Sequence, residues 1–212
     1  MGGKEATIQG ILARRVSAII RTSDQALARG AMNAAVAGGM RIVEFTLTTP
    51  GALDLITEFR ENRDLLVGAG TVLTVEDARN AVQAGAHFLV SPVCDVEIIR
   101  LADQLAVPII PGTSTPTEML AAHQAGADFV KLFPAPAGDC ATFVAAVLGP
   151  LPMLRIFPTA GISLENFVDV LRAGAVGVGF VRPLFDPDSM SRRDYGAIER
   201  RAADILQRLA NA

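Results

Sequence analysis

Short apolar, β-branched runs alternate with longer stretches rich in Ala, Leu, Glu and Arg along the chain. Eight such runs are present: Val16–Arg21, Arg41–Thr46, Leu65–Gly70, His87–Ser91, Val107–Pro111, Asp128–Phe133, Leu154–Thr159 and Ala175–Phe180. Their hydrophobicity is nearly continuous, the pattern of parallel strands buried on both faces. The segments between them read as helices. Thr74-Val75-Glu76-Asp77 and Ser163-Leu164-Glu165-Asn166 place a hydroxyl ahead of acidic residues, so both predict capped helix starts. Ala37-Gly38-Gly39, Ala84-Gly85-Ala86, Ala125-Gly126-Ala127 and Ala173-Gly174-Ala175 precede the even-numbered strands, with glycines 47, 41 and 48 residues apart. Glycine there supplies a left-handed helix C-cap. The alternation and the repeat together predict one (β/α)8 barrel domain over residues 1–212, the TIM-barrel architecture. An extra helix is expected at Glu5–Arg15 and a charged terminal helix at Ser189–Asn211. A doubly wound open sheet is the competing architecture, but the first strand-to-helix turn, Arg21-Thr22-Ser23-Asp24, lacks a glycine-rich dinucleotide fingerprint.

Composition narrows the classes of function. Half of the 212 residues are hydrophobic, and the net charge is −3 with arginines scattered singly or in pairs. This argues against nucleic acid as a partner. No apolar stretch approaches the length that spans a bilayer, and the start lacks a charged-then-apolar leader, so cytoplasmic residence is expected. Cys94 and Cys140 form no CxxC pair and read as reduced and structural. His87 and His123 are the only histidines. Neither has a ligand-spaced companion, so both read as structural, and neither a metal nor a cofactor is expected.

Against this background one residue stands apart. The chain has only two lysines, Lys4 at the frayed start and Lys131 within Asp128-Phe129-Val130-Lys131-Leu132-Phe133. Every other cation is arginine, which cannot lose its proton, whereas a buried lysine can. A neutral amine in a dry site attacks carbonyls to form Schiff bases. Glu44, in Ile42-Val43-Glu44-Phe45, is the other ionisable group in an apolar strand. If both point inward, a Lys–Glu pair suits carbonyl chemistry, the carboxylate moving protons. A structural ion pair is the alternative. Active sites of such barrels gather at the strand C-termini. Those ends carry Arg21, Thr46 with Thr48, Gly68-Ala69-Gly70-Thr71, Ser91-Pro92, Pro111-Gly112-Thr113, Phe133-Pro134, Thr159-Ala160-Gly161 and Gly179 to Arg182. The Gly68–Thr71 turn offers donors for a carboxylate, and the Thr159–Ser163 segment offers an anion site.

Taken together, Val43-Glu44-Phe45-Thr46-Leu47-Thr48-Thr49-Pro50, Val67-Gly68-Ala69-Gly70-Thr71-Val72, Val90-Ser91-Pro92, Phe129-Val130-Lys131-Leu132-Phe133-Pro134 and Phe157-Pro158-Thr159-Ala160-Gly161-Ile162 resemble the class I 2-keto-3-deoxy-6-phosphogluconate / 4-hydroxy-2-oxoglutarate aldolases over the whole chain. The resemblance implies Lys131 as the Schiff-base lysine and Glu44 as the general acid/base. It implies Thr71 and Thr159 as substrate contacts, Phe133 beside the imine, homotrimeric assembly and no metal. Arg21 matches an arginine of the related phosphogalactonate-type enzymes. The chain departs from the family in three places. Thr48 stands where many members carry a carboxylate-gripping arginine. Ala160 replaces the first glycine of a Thr-Gly-Gly turn, and Phe180-Val181-Arg182 replaces a glycine-and-serine phosphate turn. The expected reaction is retro-aldol cleavage to pyruvate and glyceraldehyde 3-phosphate or glyoxylate. The alternatives are an aldolase or decarboxylase for a non-phosphorylated keto acid, and a barrel that only binds a sugar acid.

Overall fold

The computed structural model of the chain describes residues 3–136 and 139–212. The chain opens with α1 (Lys4–Arg14), β1 (Val16–Ile20), α2 (Gln25–Ala37), β2 (Ile42–Thr46) and α3 (Ala52–Phe59). It continues through β3 (Leu66–Gly70), α4 (Val75–Gln83), β4 (Phe88–Val90) and α5 (Val96–Gln104). Next come β5 (Ile109–Ile110), β6 (Gly112–Thr113), α6 (Pro116–Gln124), β7 (Val130–Leu132) and α7 (Cys140–Leu148). The last third holds β8 (Ile156–Pro158), α8 (Phe167–Arg172), β9 (Val178–Phe180), α9 (Pro187–Arg192) and α10 (Tyr195–Ala210).

This is an α/β fold whose parallel strands form a curled sheet. Six strands lie in the order β5-β4-β3-β2-β1-β9 and three in the order β6-β7-β8. Each of the eight apolar runs contains a strand. The fifth is interrupted at Pro111, so β5 pairs with β4 while β6 pairs with β7. An isolated parallel bridge joins Thr159 after β8 to Gly179 in β9.

Both faces of the strands are buried, which explains their unbroken hydrophobicity. Val43 and Phe45 on β2 pack with the helices in the larger core cluster. Their neighbour Ile42 points the other way and joins Phe88, Val90, Ile110, Phe129 and Phe157 in a second cluster. Ile8 and Ile11 of α1 complete that inner cluster, so the extra helix closes the end at which the strands begin. Lys4 is not frayed. Its ammonium lies 2.9 Å from Asp103 and 3.1 Å from Asp128, which fastens α1 to the start of the β7 strand.

Each of the four turns has a left-handed glycine, which in the first is Gly39 rather than Gly38 (φ −71°), from which the spacing of 47 is counted. Gly39, Gly85, Gly126 and Gly174 have φ near 100° (103, 98, 103 and 109°), a region open to glycine at little cost. Thr74 and Asp77 form a reciprocal capping box on α4. Two expectations are corrected. The Ser163 hydroxyl accepts from the N–H groups of Glu165 and Asn166 in a tight turn, and α8 begins only at Phe167. The terminal helix expected at Ser189–Asn211 is two helices, because Arg193 adopts a left-handed φ of 51° and Asp194 caps a new helix by accepting from Ala197 N–H.

Candidate active site

Alternation along β2 puts Glu44 on the inner face with Ile42, and β7 puts Lys131 on the same face as Phe129. Glu44 is 3% exposed and Lys131 6%. The two make no direct ion pair, so neither charge is neutralised at contact distance. Burial lifts the Glu44 carboxyl above its ordinary range, a rise opposed by Lys131 and Arg21. Burial pulls the Lys131 amine down, with Glu44 opposing and Arg21 adding to the fall. Both shifts favour the neutral forms, and each group retains the ability to exchange a proton. The Lys131 amine sits 4.7 Å from the centre of the Phe133 ring. Gly70 on β3 makes room for the pair, since a Cβ there would run into Glu44 Oε1.

Above the pair opens a cavity of about 450 Å³, within the range of small-molecule sites. It brings together Arg21, Glu44, Lys131, Phe133, Thr159, Gly161, Gly179 and Arg182 from the sequence-derived set. Thr71 is tied to it through Arg21, whose guanidinium donates to the Thr71 hydroxyl at 3.1 Å. Gly179 keeps it open beside Thr159, because an added Cβ would lie 2.8 Å from Thr159 Oγ1. Two candidates fall elsewhere. Thr48 pairs with the Thr46 hydroxyl at 3.1 Å and lines a neighbouring groove with Leu47, Pro50 and Asp77. Pro92 presents its carbonyl to Gly112.

Sequence reasoning missed Ile19 and Pro183, which join Ile162 and Val181 of the named strand-end segments in the cavity's apolar wall. Their aliphatic character was indistinguishable from that of the core. The turn after β8 carries consecutive positive φ values at Ala160 (60°) and Gly161 (103°); at Ala160, which has a Cβ, this is strain of the kind concentrated at ligand sites. After β9 the backbone offers fewer donors. Leu184 and Phe185 N–H both donate to Val181 O, and Pro183 has no N–H. His87 is held by its strand, its Nδ1 accepting from Val67 N–H at 3.0 Å. His123 lies near the end of α6. Among the described residues no three His, Cys, Asp or Glu side chains cluster as a metal site, and no helix is long and apolar enough to cross a membrane.

Comparison with known proteins fits this geometry. Residues 8–201 match the family model described as KDPG and KHG aldolase. The 2-dehydro-3-deoxy-phosphogluconate aldolase of Pseudomonas aeruginosa is 36% identical over 182 residues, covering 84% of this chain and 81% of that one. The KHG/KDPG aldolase of Escherichia coli K12 is 34% identical over 82% of each chain. Among solved structures, the KDPG aldolase of Legionella pneumophila, with pyruvate captured at low pH as a covalent carbinolamine intermediate, superposes with a TM-score of 0.84. It is 26% identical and covers 94% of this chain and 97% of its own.

Proposed function

Because the chain belongs to the KDPG and KHG aldolase family, we propose that it is a class I aldolase cleaving a 2-keto-3-deoxy sugar acid to pyruvate and an aldehyde through an imine on Lys131. The observation that carries the assignment to residues is the buried, unbridged pair of Glu44 and Lys131 facing one cavity. The neutral Nζ of Lys131 attacks the C2 carbonyl, giving a carbinolamine that loses water to an iminium ion. Glu44, through a bridging water, accepts the proton of the C4 hydroxyl. The C3–C4 bond then breaks, its electrons passing to the iminium, so that an enamine of pyruvate forms as the aldehyde leaves. C3 recovers a proton from Glu44, and water adds at C2 to release pyruvate and the free amine. Arg21 and Thr71 hold the carboxylate beside the imine, and Phe133 packs against it. Neither metal nor cofactor enters these steps.

The aldehyde end determines which keto acid is used. With most of the backbone donors after β9 already engaged or absent, an anion there relies on the Arg182 guanidinium and on the Ala160–Gly161 turn. The preferred substrate is 2-keto-3-deoxy-6-phosphogluconate, with 4-hydroxy-2-oxoglutarate as a second. As architecture we propose a closed single-domain (β/α)8 barrel, supported by the shared β5–β6 run and the Thr159–Gly179 bridge. We also propose a cytoplasmic homotrimer. Leu73 and Val93, in the loops after β3 and β4, and Leu53, Val75 and Val96, in the first turns of α3, α4 and α5, leave apolar surface exposed, with Leu73 and Val93 each at 49%. A second copy would cover it.

The test is borohydride reduction in the presence of pyruvate, followed by peptide mass mapping. A reduced pyruvyl adduct on Lys131 and not on Lys4 is expected. Folded protein without an adduct would overturn the aldolase reading in favour of a barrel that only binds.

A further inference from the structure

We infer that Ser17 is a positioning residue that holds one water molecule directly beneath Glu44 and Lys131. The role given to that water rests on the aldolase reading above, whereas its presence does not. Ser17 lies on β1, in register with Ile42 of β2 and Gly179 of β9. It is 2% exposed, and its Oγ is one of two buried side-chain polar atoms among the described residues without a hydrogen-bond partner. An unpartnered hydroxyl is unfavourable in a strand otherwise built of Val, Ala and Ile.

Ser17 is among the residues lining a second, smaller cavity on the floor side of the site. This cavity has about 10 Å³ of room for the centre of a water molecule, the capacity of roughly one water. Every residue around it is buried. Its wall is mostly apolar, with Ile11 of α1 and Phe157 of β8 in it, and the residues around it that carry polar groups are Ser17, Glu44, Lys131 and Thr159. Four polar groups suffice for a molecule that needs two to four partners.

The hydrogen-bond arithmetic closes. Ser17 O–H donates to the water oxygen, and the water donates to a Glu44 carboxylate oxygen and to Thr159 Oγ1. A donor to the charged carboxylate favours its ionised form, opposing the effect of burial. The charged groups acting on Glu44 are Lys131 on β7 and Arg21 at the end of β1. The water therefore keeps Glu44 available as a base without itself being consumed. Ser17 touches neither substrate nor reacting atom, so its influence passes through Glu44.

A high-resolution crystal structure and pH–rate profiles of Ser17→Ala, Ser17→Thr and Ser17→Val test this. Wild-type density for one water within hydrogen-bond reach of Ser17 Oγ and Glu44 is expected, and none in Ser17→Val. In Ser17→Ala the acid limb of kcat/KM should move up by about one pH unit, tenfold in rate on that limb, with KM and melting temperature near wild type. Ser17→Thr should restore the profile. A dry wild-type cavity overturns the inference. So does a Ser17→Ala profile that superimposes on wild type while pyruvate still traps on Lys131. If wild type fails to trap pyruvate, the aldolase reading falls and the proton role with it, and the density alone decides the water.

Discussion

The two lysines occupy opposite surroundings near the two ends of one strand. Lys4, from α1, reaches Asp128 at the entrance of β7, where two carboxylates hold its ammonium at 2.9 and 3.1 Å. Three residues further along, Lys131 is buried with no carboxylate at contact distance. The consequences for the proton are opposite. Burial alone would lower the Lys4 pKa, but hydrogen bonds to Asp103 and Asp128 outweigh it and the net shift is upward. For Lys131 burial wins and the shift is downward. The same functional group is thus a fixed cation at the floor and, in the proposed mechanism, the nucleophile at the open end. Burial and partners act together: Lys4 is only partly buried and meets two acids, whereas Lys131 is buried and meets none at contact distance.

Lys131→Met and Lys4→Met break this comparison most sharply. The first should lower kcat by roughly 10⁵-fold, in line with loss of a catalytic nucleophile, and should leave stability unchanged or improved by up to about 2 kcal/mol, since a buried amine with no ion-pair partner is removed. Lysine's folded-state pKa is depressed, so the folded protein resists binding this proton. Stability should rise with pH as the solution approaches the ordinary lysine value near 10.4, and Lys131→Met should flatten that rise. Lys4→Met should cost about 1 kcal/mol at the floor and leave kcat unchanged. Steady-state kinetics beside denaturant titrations from pH 7 to 10.5 read all five outcomes.

Glu44→Gln comes next, sharpening the claim that the absence of contact is functional. Removing the proton acceptor while keeping its shape should lower kcat by about 10²- to 10⁴-fold. Pyruvate should still reach Lys131 and be trapped, only more slowly. If Glu44→Gln abolished trapping and melted the fold, the pair would be structural.

Much of this arrangement was readable in the residues. The strands announced themselves through unbroken β-branched runs, because both faces are buried, and Lys131 and Glu44 stood out as charges inside them. What escaped was decided by distant partners or by loop geometry. Nothing near Lys4 indicates Asp103, 99 residues away. Thr48 sits at the end of a strand, yet its hydroxyl turns into a Thr46–Thr48–Thr49 group beside another groove. Ser17 carries no signal in the sequence, since only the tertiary packing leaves its hydroxyl buried without a partner beside a cavity. The break in the terminal helix did have a local signal. Asp194 is a ready N-cap, and Asp186-Pro187 is a cap followed by proline at the first helical position.

Arg182→Ala extends the comparison to the guanidinium at the far wall of the cavity. Loss of a charge-assisted contact should raise KM for the phosphorylated keto acid by about 10- to 100-fold. With 4-hydroxy-2-oxoglutarate, whose aldehyde fragment is short, KM should change less. Equal effects on both substrates would place the distal anion elsewhere.

The smallest effect returns to the strand entrances, where one group qualifies the picture of fixed charges at the floor. His87 precedes β4, and its Nδ1 accepts from Val67 N–H at 3.0 Å. Burial lowers its pKa, and the nearby Arg60 adds to the fall. This ring is therefore held neutral for a structural reason, because a protonated Nδ1 cannot accept. The folded-state pKa lies below the unfolded value, so the stabilisation is present above about pH 6.5 and is lost as pH falls towards the depressed folded value. Between pH 7 and 5 the unfolding free energy should drop by about 1 kcal/mol, the net worth of one hydrogen bond. His87→Asn, whose amide oxygen can accept the same N–H without titrating, should remove that drop while leaving kcat intact. An unchanged drop in His87→Asn would move the acid sensitivity to other groups, and the floor would then contain no group held neutral by its hydrogen bond.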